Sequence, residues 1–179
     1  MISLVKVNMP KKSALLLGAT GLVGSHLLTH LLESNIYEDV RLITRRKVEQ
    51  NHPKLKQYVA DFEHLDALCE VFKVDDVFCC LGTTIKQAKS KAMFRKVDYD
   101  YIVQVAQLSK KQKVQCFLLL SSIGANPNSP VFYLQIKGET EVTIQHLNLP
   151  NFQVFRPSLL LGKRSDFRIA EACFSWMSP

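Results

Sequence analysis

The stretch Ala14–Leu28 constrains the fold of this chain more than any other part of the sequence. Its first residues, Ala14–Leu17, are apolar, and Gly18, Gly21 and Gly24 follow before an amphipathic segment. Gly18 allows a tight turn, Gly21 lets a diphosphate approach the backbone, and Gly24 lets a helix pack close to a sheet. The order strand, glycine turn, helix predicts a phosphate site, because unpaired N–H groups at a helix start attract anions.

Further residues of the same turn are predicted to contact a dinucleotide. Thr20 lies between the first two glycines, and Leu22 and Val23 begin the helix that follows them. The spacing is GxxGxxG rather than GxGxxG, but strand, turn and helix occur in the required order. The alternative is a glycine-rich turn that binds no ligand.

The composition is that of one globular domain. The chain has 179 residues, of which 47% are hydrophobic and 22% charged, enough to build a core. No run approaches the roughly 18 apolar residues that a membrane span needs, so no membrane contact is expected. We predict a flexible N-terminal lead-in at 1–12, an NAD(P)-binding domain at 13–165 and a short C-terminal segment at 166–179.

Cysteine usage and net charge narrow the functional classes. The five cysteines form no CxxC pair, and Cys79, Cys80 and Cys116 lie in apolar runs. Small buried thiols favour a reducing, cytoplasmic location over a disulfide framework or a metal site. The net charge of +7 is compatible with nucleic acid. No aromatic-interleaved motif accompanies the basic clusters, so we favour a phosphorylated cofactor and expect no nucleic-acid partner.

Apolar runs and amphipathic segments alternate along the chain. After the strand at the glycine turn, further strands are predicted at residues 40–44, 55–60, 76–81 and 114–120. Helices are predicted at residues 21–33, 64–72 and 92–108. Strands that alternate with helices indicate a parallel sheet covered on both faces. With right-handed crossovers, this pattern predicts a three-layer, doubly wound α/β Rossmann fold with strand order 3-2-1-4-5-6.

Two arginines follow the second predicted strand. Dinucleotide folds that bind NAD carry an acidic residue there for the ribose hydroxyls, but this chain has Arg45 and Arg46. Two guanidinium groups suit the 2′-phosphate of NADP through charge-assisted hydrogen bonds. We therefore predict NADP(H) as the cofactor. The alternative is that both arginines lie on a solvated loop.

The ends of the third and fourth predicted strands add cofactor contacts. Asp61 and Phe62 follow the third strand, where a carboxylate can meet the adenine amino group. The fourth strand ends in Leu81, Gly82 and Thr83. A glycine at this point lets the ribose and phosphate of a cofactor lie against the chain.

A serine pair and a tyrosine–lysine pair carry the predicted chemistry. Ser121 and Ser122 end the fifth strand, and Tyr133 and Lys137 follow at i,i+4, so on a helix they share one face. A free tyrosine has a pKa near 10, and a neighbouring ammonium group and a positive nicotinamide ring lower the pKa of such a phenol. The pattern favours a tyrosine that exchanges a proton with a carbonyl or hydroxyl oxygen. The alternative is a surface tyrosine and lysine on a helix.

These motifs together resemble those of the short-chain dehydrogenase/reductase superfamily. The resemblance rests on GATGLVG, the serine pair, YLQIK and the sequence Phe155-Arg156-Pro157. The segments CLGTT, VDYDY, LLSSIGA, YLQIKGE and FRPSLLLGKR resemble more specifically the atypical members typified by the Tat-interacting oxidoreductase-like proteins. The resemblance covers about residues 13–165.

The resemblance implies an NADP(H)-binding oxidoreductase that acts on an unidentified carbonyl or hydroxyl substrate. Tyr133 would be the acid/base, and Lys137 would be its partner and would hold the nicotinamide ribose. Ser122 would bind the substrate oxygen, with Ser121 as the alternative. Pro157 would lie where the chain passes the nicotinamide amide. Relatives often form homodimers through two helices, which correspond here to residues 92–108 and 138–146.

Two departures from the superfamily pattern leave a second function open. Asp98 stands where many relatives carry an asparagine that supports a water relay to the lysine. Few residues follow the sixth strand, so we expect an open cleft or a truncated chain, with one short helix at 168–176. These features favour, as the alternative, a weakly catalytic or non-catalytic NADP(H)-sensing protein that acts through a protein partner.

Overall fold

Six parallel strands form a sheet in the computed structural model, which describes residues 10–158. The strands are β1 (Lys12–Leu17), β2 (Tyr37–Thr44), β3 (Leu55–Val59), β4 (Asp76–Cys79), β5 (Cys116–Leu120) and β6 (Phe152–Phe155). Their order is β3-β2-β1-β4-β5-β6, because the chain runs outward to β3 and then returns to pair β4 with the free side of β1. This order confirms the predicted doubly wound α/β fold.

Helices connect the strands and cover both faces of the sheet. The α-helices of the described range are α1 (Leu22–Glu33), α2 (Ile85–Ala88), α3 (Lys91–Arg95), α4 (Tyr101–Lys111) and α5 (Phe132–Gln145). A 3₁₀ segment, Phe62–Phe72, links β3 to β4, and a π-helical segment, Lys96–Asp100, joins α3 directly to α4. None of these helices combines the length and the apolar character needed to cross a bilayer.

The central strand β1 is buried on both faces. Leu15 and Leu17 pack into the hydrophobic cluster that includes Val105 of α4, while Ala14 and Leu16 pack into the cluster beneath α1. A continuous apolar sequence is what a parallel strand requires when helices cover both of its faces. Leu17 pairs with Cys79 of β4, so the loops that leave these two strands emerge side by side at the carboxyl edge of the sheet.

The structure differs from the predicted elements where local geometry is irregular. The helix predicted at 64–72 is the 3₁₀ segment Phe62–Phe72, which is kinked at His64 and Leu68. The single helix predicted at 92–108 is the longer run from α3 to α4, with the π-helical segment in its middle. The fourth strand ends at Cys79, so Leu81 lies in the loop rather than in the sheet.

Some of the predicted segments lie outside residues 10–158, the part of the chain that the structure describes. The predicted lead-in at 1–12 falls largely outside the described residues, and the C-terminal segment at 166–179 falls entirely outside them. The predicted helix at 168–176 and the segment LLLGKR therefore have no structural outcome.

Candidate functional site

The turn between β1 and α1 is built so tightly that only glycine fits at two positions. Gly18 has a φ of +84°, and a Cβ there would lie 2.3 Å from the carbonyl oxygen of Cys80. A Cβ on Gly24 would lie 2.2 Å from the carbonyl oxygen of Gly18. The backbone N–H of Gly21 donates to the Gly18 carbonyl at 2.9 Å and closes the turn. The chain therefore needs Gly18 and Gly24 to bring α1 against the carboxyl edge of the sheet.

The start of α1 leaves backbone donors without a side-chain cap. Gly21 is the N-cap residue, and no side chain accepts a hydrogen bond from the first turn of the helix. The first N–H groups of a helix lack partners within the helix and carry a partial positive charge. This end of α1 therefore fits an anionic group such as a diphosphate.

A cleft of about 130 Å³ opens beside this turn. Eight residues that the sequence predicts as cofactor contacts lie in its wall: Gly18, Thr20, Gly21, Arg45, Arg46, Phe62, Leu81 and Gly82. Six further residues of the wall were not predicted as contacts: Ala19, Ile43, Thr44, Cys80, Val97 and Tyr101. Val97 and Tyr101 lie four residues apart on the helical run from α3 to α4. Their spacing is a sequence signal that could have placed both on one face.

Arg45 and Arg46 lie at the rim of the cleft, directly after β2. Both side chains are exposed, and within residues 10–158 neither guanidinium group forms a hydrogen bond or an ion pair. Thr44, the last residue of β2, is buried, and its hydroxyl has no partner among the described residues. This corner of the cleft therefore combines positive charge with unused hydrogen-bonding groups.

Five predicted cofactor contacts lie elsewhere in the structure or have another role in it. Leu22, Val23 and Pro157 line a larger apolar groove of about 680 Å³ between α1 and β4, β5 and β6. The Asp61 carboxylate caps the 3₁₀ segment by accepting from the Glu63 N–H at 3.2 Å. The Thr83 N–H donates to Asp98 Oδ2 at 2.7 Å.

A cluster of aromatic and charged side chains borders the far end of the cleft. The Tyr101 hydroxyl donates to Glu63 Oε1 at 2.5 Å, and Lys96 Nζ lies 2.5 Å from the same oxygen. The Tyr101 and Phe62 ring centroids are 5.7 Å apart. Burial and the hydrogen bond to Glu63 raise the pKa of the Tyr101 phenol, so it stays protonated at neutral pH. Lys96 and Tyr101 hold the pKa of the Glu63 carboxyl below its ordinary value.

Lys137 of α5 and Asp98 of the π-helical segment form a buried ion pair next to this cleft. Lys137 Nζ lies 2.8 Å from Asp98 Oδ1, and the two side chains are 7% and 0% exposed. Burial, the largest single influence, lowers the pKa of the Lys137 ammonium, but Asp98, Tyr133 and Cys79 together outweigh it, and the net result is a pKa above the ordinary value. Lys137 is therefore an ammonium group at neutral pH.

Tyr133 lies one turn before Lys137 on α5, as the i,i+4 spacing predicts. Its phenol interacts electrostatically with the Lys137 ammonium group. Its ring packs against the fully buried Phe94, with ring centroids 5.7 Å apart. Tyr133 and Lys137 therefore share one face of α5, and the tyrosine ring packs against the aromatic side chain of α3.

Ser121 and Ser122 follow β5, and both are buried. Ser122 Oγ donates to the Ile123 carbonyl at 3.3 Å, whereas Ser121 Oγ has no hydrogen-bond partner among the described residues. The choice between them as substrate ligand stays a prediction.

Comparison with known proteins connects this geometry to a family. A family model described as NAD(P)H-binding matches residues 18–169. Protein HTATIP2 of Rattus norvegicus is 42% identical over 168 residues, which cover 92% of this chain and 69% of that protein. Protein FMP52, mitochondrial, of Debaryomyces hansenii is 37% identical over 155 residues, 85% of this chain and 68% of that protein.

Solved structures share the fold at low sequence identity. A UDP-glucose 4-epimerase of Thermotoga maritima, crystallised with UDP-glucose, matches 91% of this chain with a TM-score of 0.72 and 21% identity. The Bordetella bronchiseptica enzyme WbmH, in complex with NAD⁺, matches 87% of it with a TM-score of 0.74 and 19% identity. This chain spans 62% and 58% of those two chains. The likeness shows the fold, which extends further in both enzymes.

The prediction of a cytoplasmic location is wrong on these comparisons. Several similar fungal proteins, including those of Debaryomyces hansenii, Candida glabrata and Meyerozyma guilliermondii, are named as mitochondrial. The prediction rested on thiols, and the four described cysteines are indeed free. Free thiols argue against an oxidising compartment but do not distinguish one reducing compartment from another.

Proposed function

This chain belongs to the NAD(P)H-binding family, and we propose that it is an NADP(H)-dependent oxidoreductase of the short-chain dehydrogenase type. The observation that carries the proposal is the placement of Tyr133 and the buried Lys137 ammonium group together on α5. The wall of the cleft reaches Lys137, because a Cβ on Gly82 would lie 3.5 Å from Lys137 Nζ. A cofactor in the cleft would therefore end beside the lysine, one helical turn from the proton donor Tyr133.

The described residues fit a bound dinucleotide. The uncapped start of α1 would bind the diphosphate, and Phe62 and Tyr101 would flank the adenine. Lys137 would hold the nicotinamide ribose. When bound, the reduced nicotinamide supplies a hydride to the carbonyl carbon of the substrate.

Tyr133 would complete the reduction by donating its phenolic proton to the carbonyl oxygen. The carbon accepts the hydride, the oxygen accepts the proton, and the product is an alcohol. The Lys137 ammonium group favours the tyrosinate that this transfer leaves. Ser122, or alternatively Ser121, would hold the substrate oxygen within reach of the phenol.

We propose NADP(H) rather than NAD(H) because of the rim of the cleft. The exposed guanidinium groups of Arg45 and Arg46 lie in the wall there without ion-pair partners in the described range. They offer charge-assisted hydrogen bonds to a 2′-phosphate. Titration of the full chain with NADPH and with NADH measures the preference, and equal dissociation constants would refute it.

The test of catalysis is the variant Tyr133→Phe, assayed by NADPH oxidation with a panel of aldehydes, ketones and quinones. The ring still packs against Phe94, but the proton donor is lost. Turnover should fall roughly 10²-fold to 10⁴-fold, the usual contribution of general acid–base catalysis, while NADPH affinity is retained. Tyr99→Phe is the matched control, because its hydroxyl contacts Thr143 instead of the reaction site. Unchanged turnover in Tyr133→Phe would overturn the proposal.

A second candidate is an NADP(H)-sensing protein that reports cofactor occupancy to a protein partner. The observation in its favour is that the Asp98 carboxylate holds Lys137 in a buried ion pair. An affinity pull-down with and without NADPH tests this candidate. Partners that bind equally well in both conditions would rule it out.

A further inference from the structure

Asp98 is a fully buried carboxylate of this site, and three contacts from two elements converge on it. Its Oδ1 lies 2.8 Å from Lys137 Nζ of α5. Its Oδ2 accepts the Thr83 N–H of the loop after β4 at 2.7 Å. Its backbone carbonyl accepts the Thr140 hydroxyl, also of α5, at 2.8 Å. The residue therefore ties α5 to the loop that forms the wall of the cofactor cleft.

The π-helical segment explains how Asp98 reaches this position. Lys96–Asp100 interrupts the run from α3 to α4 with one wide turn, and Asp98 is its central residue. A π-turn is a single wide turn within an α-helix and often occurs at a functional site. The Thr140 hydroxyl donates to the Asp98 carbonyl at 2.8 Å. Without the π-turn, the residues after it would face a different direction around the helix axis.

Gly82 shows how closely the ion pair lies against the cleft. A Cβ at position 82 would lie 3.2 Å from Asp98 Oδ1 and 3.5 Å from Lys137 Nζ. A side chain at this position would require the pair to shift by a few tenths of an ångström. Only the loop backbone would therefore separate a group bound against this loop from the Asp98 carboxylate.

Burial and the groups around Lys137 have opposite effects on the pKa of its ammonium group. Burial lowers the pKa of the ammonium group, whereas Asp98, Tyr133 of α5 and Cys79 of β4 raise it, with Asp98 as the largest of the three. If the Asp98 charge is removed, burial, already the largest single influence, loses its main opponent. The amine would then lose its proton at a lower pH than a lysine in water.

We propose that Asp98 is a positioning residue that fixes the direction and the charge of the Lys137 side chain beneath the Gly82–Thr83 loop. This inference rests on the proposed function, because it assigns Asp98 a role at the same reaction site. The role differs from a neutral hydrogen-bonding one, since it depends on the negative charge of the carboxylate.

The experiment compares Asp98→Asn, Lys137→Met and the double variant with the wild-type chain. Asparagine keeps an oxygen that can accept the Thr83 N–H but has no charge. Unfolding by urea is measured from pH 7 to pH 10, a readout that does not depend on substrate or turnover. NADPH oxidation with para-nitrobenzaldehyde is measured over the same range. Glu139→Gln is the matched control, because it breaks another ion pair of α5, with Arg95 at 2.6 Å.

The expected result is a pH-dependent difference between Asp98→Asn and the wild type. In the wild type Lys137 keeps its proton in the folded state, so this group adds no slope below the unfolded pKa of about 10.4. In Asp98→Asn the folded amine binds fewer protons than the unfolded one. The stability of the variant should then rise with pH, by up to ten-fold per pH unit in the unfolding equilibrium constant. Its NADPH oxidation should fall with pH relative to the wild type.

A constant loss of stability in Asp98→Asn, equal at all pH values, would show a merely structural role and overturn the proposal. Glu139→Gln should show no such slope. If Asp98→Asn does not fold, the double variant decides, because removal of both charges leaves no unpaired ion buried. A folded double variant supports the charge pairing, and an unfolded one contradicts it. The failure of Tyr133→Phe to lose turnover would refute the proposed function but leave the unfolding results intact.

Discussion

The small cleft at the glycine turn and the large groove beside α1 differ in size and chemistry. The cleft, about 130 Å³, is formed by the glycine turn, the two arginines and the backbone after β4. The groove, about 680 Å³, is lined mainly by apolar side chains such as Leu27, Phe78 and Leu118. Cys80 borders both cavities, and burial raises the pKa of its thiol to about 12. Backbone donors and positive charge, rather than volume, therefore distinguish the proposed cofactor site from the groove.

Gly18→Ala should give the largest effect of these variants, because it disturbs the glycine turn that forms part of the cleft wall. The added Cβ would meet the Cys80 carbonyl oxygen at 2.3 Å, and the φ of +84° is unfavourable for alanine. The strain should lower the free energy of unfolding by about 2 kcal/mol. NADPH affinity should fall by about 100-fold or more, as measured by calorimetric titration. Ser25→Ala, an exposed change on α1, is the control, and unchanged affinity in Gly18→Ala would place the cofactor elsewhere.

Arg45→Ala should test the charge of the cleft, because it should weaken the binding of NADPH but not the binding of NADH. Loss of charged hydrogen bonds to a 2′-phosphate should weaken NADPH binding roughly 10-fold to 100-fold. NADH binding should stay within about two-fold, since it offers no phosphate at that position. Lys47→Ala removes a neighbouring exposed positive charge that lies outside the cleft wall. An equal loss in both arginine and lysine variants would indicate general electrostatic attraction instead.

Gly82→Ala should give an intermediate effect at the point where the cleft meets the buried ion pair. The new Cβ would lie 3.2 Å from Asp98 Oδ1, so the pair must shift by a few tenths of an ångström. Overpacking of this kind should lower the free energy of unfolding by about 1 kcal/mol, measured by urea denaturation. If Gly82→Ala is as stable as the wild type, the pair is less tightly held than its distances indicate.

Phe155→Ser should give the smallest effect, because it changes only the groove. Phe155 lines the groove and is 53% exposed. Substitutions at such surface positions usually change stability by less than about 0.5 kcal/mol. NADPH affinity should be unchanged, and Val59→Ser, at a similarly exposed residue of β3, gives the reference. A loss of NADPH affinity comparable to that of Arg45→Ala would show that the two cavities do not act separately.

The fold could be predicted from the sequence because its signals are local. The apolar strands, the amphipathic helices and the glycine turn each lie within a short segment, and their order alone permits few topologies. Only the helix type of the irregular segments escaped prediction. The hydrophobic period predicts helical structure at 64–72 and 92–108, but it does not distinguish a 3₁₀ or π-helical turn from an α-helix.

The candidate site was predicted in part. Gly18, Gly21, Arg45 and Arg46 lie in the cleft wall because they follow the ends of β1 and β2, where the fold itself places loops. Leu22, Val23 and Pro157 lie in the groove because a helix and a strand end present side chains to both sides. The contribution of Tyr101 to the cleft wall depends on how the helical run from α3 to α4 packs against the 3₁₀ segment.

The sequence by itself determined the order of the elements, the glycine turn and the shared helical face of Tyr133 and Lys137. Each of these features depends on residues a few positions apart, so backbone geometry alone decides them. Only the tertiary structure decided that Asp98 and Lys137 meet at 2.8 Å beneath Gly82. It also divided the edge of the sheet into a polar cleft and an apolar groove. These outcomes depend on how distant segments pack, and the energy of a buried charge depends on the partner that packing brings to it.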